Sequence, residues 1–201
     1  LQRVSGIVDA RAIAMADVLS GGFPAEYGDS MSGVVDLATE SPSSITRTSL
    51  AASNVNSRFS TQGTFHEGEG AWLAAARAWY PDATLELVNP GGEEIAPSYY
   101  DLLGKTRFLW GEGSSISGNV LLARDRVDFK GEASEESTNL GYGSQYAWIT
   151  LKGAPTSSLL SQTVISKGQI QSDRGGSVGG MSENVAQVTD SRFFSFEGIK
   201  Q

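Results

Sequence analysis

The residues able to do chemistry in this chain are few. His66 is the only histidine and there is no cysteine, so a nucleophile–base arrangement would have to use His66. No nucleophile-elbow sequence accompanies it, and a histidine-based metal site lacks further histidines. His66 reads as a polar residue at a strand end. Glu93-Glu94 and Glu132, Glu135 and Glu136 carry carboxylates of the kind that bind Ca²⁺, but without the spacing of a Ca²⁺ loop they read as solvated loop residues. Gly141-x-Gly143 and Gly175-Gly176…Gly179-Gly180 open no helix, so they read as loop and turn glycines rather than a phosphate cradle. Lys105 and Arg107 remain, placed to attract an anionic solute or pair with carboxylates; they read as part of a wet lumen wall with no dedicated ligand. No catalysis, cofactor or metal is expected.

The elements that position these residues read as strands. Tyr99 to Trp110 alternates most cleanly: Tyr100, Leu102, Thr106, Phe108 and Trp110 share one face, and Asp101, Lys105 and Arg107 the other. Ser57 to His66 sets Phe59, Thr61, Gly63 and Phe65 against Arg58, Ser60, Gln62, Thr64 and His66. Period-two alternation of this kind marks a sheet with one apolar face. Further strands are expected at Ile45–Asn56, Ala71–Tyr80, Ser115–Phe129, Tyr142–Gly153 and Ser157–Gln171, with another starting near Asp190.

The connections alternate in expected length: short at 67–70, 111–114 and 154–156, long at 81–98, 130–141 and 172–188. Antiparallel strands joined so put short turns at one end and long loops at the other, the asymmetry of an outer-membrane barrel. Tyrosine and tryptophan at the two ends of the Tyr100–Trp110 face suit the two headgroup levels of a bilayer. No run reaches the roughly 18 apolar residues of a membrane helix, which bears only on helical spans. The net charge of −8 over 201 residues argues against non-specific nucleic-acid binding. Ser41-Pro42-Ser43-Ser44 reads as a linker. Leu1 and Gln201 both fall inside patterned sequence, as expected of an internal piece of a longer chain.

Ahead of the linker, Leu19 to Thr39 reads as a strand end, a Gly-Gly turn, a compact corner and a second strand. Gly21, Gly22, Phe23, Pro24, Glu26, Tyr27, Gly28 and Gly33 carry the corner, where glycine permits positive φ and Pro24 fixes a short helical turn. This stretch resembles the end of the plug domain of TonB-dependent outer-membrane receptors, in which a strand runs into Gly-Gly, an AxYG corner and a GVV(D/N)I.T strand. One departure is the segment Ala14-Met15-Ala16-Asp17, where the family has a more charged run and only Asp17 keeps the acidic character. Gly70-Ala71-Trp72-Leu73 through Arg77-Ala78-Trp79-Tyr80, and Tyr99-Tyr100-Asp101-Leu102 with Lys105, resemble early barrel strands of the same family, of the carboxypeptidase-regulatory-like or Oar-like kind.

The resemblance implies a mostly β chain, with residues 1–41 the end of an α+β plug domain. Residues 45–201 would be about eight antiparallel strands opening a barrel of roughly 22. It implies a receptor in the bacterial outer membrane that takes up a bound small solute, peptide or glycan. Its partners would be outer-membrane lipid and a TonB complex pulling on a plug segment N-terminal to this stretch. Arg58, Asp101, Lys105 and Arg107 would face the lumen. A secreted or surface all-β binding or adhesion module is the alternative; it accounts for the alternation and the acidity.

Overall fold

A computed structural model describes residues 13–19, 34–39, 45–81, 94–111, 113–130, 137–156, 159–178 and 181–200. The chain is mostly β. Strands β1 (Ile13–Leu19) and β2 (Val34–Thr39) form an antiparallel pair, in which Asp17 lies opposite Asp36 and Val18 opposite Val35. The corner between them, which holds all eight residues from Gly21 to Gly33 named above, lies outside the described residues, as does the 40–44 linker.

The remaining strands form an eight-stranded antiparallel sheet. They are β3 (Arg47–Ala52), β4 (Asn56–Phe65), β5 (Gly70–Trp79), β6 (Glu94–Trp110), β7 (Ser114–Lys130), β8 (Ser137–Thr156), β9 (Leu159–Val178) and β10 (Met181–Lys200). Each strand pairs with its sequence neighbours, and β3 and β10 are the two edges, so the sheet is not closed.

Three expected connections prove shorter, because the strands are longer than their apolar stretches. Glu94 to Ser98 belong to β6 even though Pro97 sits among them. β5 ends opposite Tyr99, so Pro97 lies past the reach of β5, where a missing N–H forfeits no ladder bond to that strand. β7 runs to Lys130 and β8 starts at Ser137, which confines the acidic connection to 131–136. The largest correction is Ser172 to Val188: apart from 179–180, which lie outside the described residues, this Gly/Ser/Asp stretch belongs to β9 and β10, paired from Met181↔Val178 onward. Gly141, Gly143, Gly175 and Gly176 are therefore strand residues. The 154–156 turn is likewise the end of β8.

Register defines two faces. One row of cross-strand partners is Phe59–Ala76–Leu102–Leu122–Gln145, and the next is Arg58–Arg77–Asp101–Ala123–Ser144. Neighbouring residues on β6 show which face is shielded: Tyr99 is 3% exposed and Tyr100 52%, Leu103 2% and Leu102 42%. Ala71, Leu73, Leu121, Ala123 and Ser144, also buried, share the face of Tyr99, Asp101 and Leu103. Leu73, Leu103 and Leu121 meet there, with Ala75, Tyr146 and Trp148 packed against them.

Aromatic rings close gaps left by strand glycines, a pairing that recovers packing where a strand lacks a side chain. The Phe65 ring covers its partner Gly70, and Tyr146 covers its partner Gly168. A Cβ at Gly168 would stand 2.6 Å from Tyr146 ring carbons and 2.7 Å from Ser191 Oγ. Gly168→Val is therefore expected to lower stability by about 1–3 kcal/mol through overpacking. The check is the urea midpoint; an unchanged value would mean that Tyr146 swings aside freely.

Candidate functional site

The shielded face holds the charged residues. Arg58, Arg77 and Asp101 are successive cross-strand partners on β4, β5 and β6. The Arg77 Nε donates to Asp101 Oδ2 at 2.7 Å, and Arg77 Nη2 reaches the same oxygen at 2.6 Å. Asp101 is 5% exposed, so its charge is held by this contact rather than by water. The guanidinium also lies over the Tyr99 ring, with Cζ 4.7 Å from the centroid, a cation–π contact. Tyr99 is on the same face two residues before Asp101, which is why strand geometry brings both to Arg77.

Lys105 and Arg107 follow at the same period on β6, both half-buried. Arg107 Nε is buried with no hydrogen-bond partner among the described residues. Register puts Arg58, Asp101, Lys105 and Arg107 on one face, the shielded one, together with Leu73, Leu103 and Leu121. On this face of β4 to β7, the cations Arg58, Arg77, Lys105 and Arg107 outnumber the carboxylates Asp101 and Asp125, although the whole chain carries −8. Arg77 and Tyr99 are not among the residues that alternation alone marks as a site. Their signal is the register, which sequence alone does not supply.

The opposite, open face is apolar at one end of the strands. Phe59, Leu102, Ile116, Val120, Leu122, Ile149, Leu151, Ile165, Phe194 and Phe196 are exposed large apolar residues, and register places all of them on this face. Further along the same strands and on the same face come Arg124, Arg126 and Asp128 on β7, Gln145 on β8, Gln169 and Asp173 on β9, and Asp190 on β10. Over the apolar stretch the open face is bare, while the shielded face sets Arg58, Arg77, Asp101, Lys105 and Arg107 beside the Leu73, Leu103 and Leu121 cluster.

His66 lies in the tight turn His66–Gly68 between β4 and β5, with φ of 52°. Its Nε2 is 3.3 Å from Glu69 Oε2, and its ring centroid is 5.9 Å from that of Phe108. This is a turn residue beside an acidic neighbour, with no nucleophile drawn to it. No group of three or more His, Asp or Glu able to hold a metal occurs among the described residues, and none of the helices there is long and apolar enough to cross a membrane.

The architecture is an open eight-stranded antiparallel sheet whose shielded face carries a leucine cluster and buried ions, and whose other face is apolar at one end and charged at the other. No family, no curated protein and no solved structure matches the chain.

Proposed function

We propose that the chain is part of a TonB-dependent outer-membrane receptor, with residues 1–41 ending its plug and residues 45–201 opening its barrel. The observation that carries this reading is the bare apolar stretch at one end of the open face, with charged side chains on the shielded face behind it. In a bilayer the open face meets acyl chains, and the apolar stretch of each strand gives way to polar residues where the strand leaves the hydrocarbon. The 20-residue strands β8, β9 and β10 exceed the roughly 9–11 residues needed to cross, so their polar halves would stand above the membrane. The shielded face then lines a wet lumen, where Arg58, Arg77, Lys105 and Arg107 favour anionic groups on a plug or a solute. Uptake of a bound solute, peptide or glycan would be driven by a TonB complex acting through the plug.

A secreted binding module would cover an apolar sheet face with a second layer. Among the described residues nothing buries that face.

The test is to express the complete reading frame containing this chain with its own leader, fractionate membranes, and compare heated and unheated migration on gels. The expected result is recovery in the outer membrane with a fold-dependent mobility shift. A soluble product with no shift would sink the receptor reading.

A further inference from the structure

On the open face, the cross-strand row Val120–Ala147–Lys167–Arg192 marks where the apolar stretch of β9 and β10 ends. The row before it is Gly118–Ile149–Ile165–Phe194, and its three large side chains are exposed. Lys167 and Arg192 are exposed and directly opposite each other. Like charges so placed disfavour the pairing that holds them together. Neither side chain has an ion-pair or hydrogen-bond partner among the described residues. Asp190, the carboxylate two positions along on the same face, instead accepts a hydrogen bond from Gln169 Nε2 at 3.0 Å.

We propose that Lys167 and Arg192 form a site for the phosphate of an anionic lipid, whose acyl chain lies along Ile149, Ile165 and Phe194. The chemistry fits: a guanidinium offers a phosphate two parallel donors and an ammonium adds a compact charge. The occupant is an amphiphile rather than a soluble anion, because the cations border an apolar row on an uncovered face. A bridging phosphate turns the repulsion across β9 and β10 into a clamp on both strands. The site rests on the membrane reading above and adds a specific lipid class to it.

The experiment uses the complete protein purified from outer membranes in zwitterionic detergent, as wild type, K167Q/R192Q, R192Q and R124Q. Arg124 lies on the same open face, away from this row. Heat-modifiable migration comes first: its absence in the wild type defeats the barrel reading itself. Folded proteins are then titrated with micelles containing phosphatidylglycerol or only phosphatidylcholine, and with sodium phosphate, following tryptophan fluorescence. Phosphatidylglycerol is expected to bind K167Q/R192Q about tenfold more weakly than wild type, with R192Q intermediate and R124Q unchanged. If the double variant does not fold, R192Q alone decides. Equal binding by wild type and variants overturns the site, and so does sodium phosphate competing as well as the lipid.

Discussion

Asp101→Asn is expected to lower the folding free energy by about 3 kcal/mol, at the lower end of the range for breaking a buried ion pair. The side chains of Arg77 and Asp101 are 16% and 4% exposed, so water does little to replace the lost carboxylate charge. Arg77 would then face Arg58 across the β4–β5 ladder with no anion between itself and β7. The asparagine keeps the shape, which isolates the charge from the packing. Removing both partners in R77M/D101L is expected to recover most of the loss, since an apolar pair leaves no stranded ion. Urea unfolding of the purified protein measures both. A D101N midpoint equal to wild type would show that the pair is solvated and contributes nothing.

Leu102→Arg gives the second large effect and separates lipid from water as the environment of the open face. Leu102 sits mid-row between Ala76 and Leu122. Against hydrocarbon, an arginine there is expected to cost about 2–4 kcal/mol, as measured at the midplane of outer-membrane barrels. Against water the same change at an exposed site would stay within about 0.5 kcal/mol. Gln145→Arg, one strand beyond Leu122 in the same row, is the control, because its polar residue lies where the apolar stretch of β8 ends. Refolding into lipid vesicles with urea titration reads all three proteins. A Leu102→Arg protein as stable as the Gln145→Arg protein would place the face in water.

What was legible in the sequence follows from which residues alternate. Tyr99 to Trp110 could be read because each polar residue on it has an apolar neighbour, and period two is then visible without knowing any partner. Ser172 to Val188 could not be read that way. Its serines, glycines and charges lie on both faces of the β9–β10 hairpin, so no alternation survives, and the low strand preference of glycine and aspartate imitates a loop. Arg58, Asp101, Lys105 and Arg107 could be assigned to one kind of face. The choice of Arg77 and Tyr99 as the partners of Asp101 needed the β5–β6 register, which pairs Arg77 with Asp101 and Trp79 with Tyr99. Sequence also left open which of the two faces is shielded, since alternation is the same in a water-facing sheet and a lipid-facing one.

Because every strand from β3 to β10 pairs only with its neighbours in sequence, the sheet can be built by adding one hairpin arm at a time. No step needs to close more chain than a single connection, and closing short connections carries little entropic penalty. Growth can start at any hairpin and spread toward both edges, with each new strand using the ladder of the last as its template. Neighbours in sequence are then always neighbours in assembly, and a chain still emerging could begin pairing before its later strands exist.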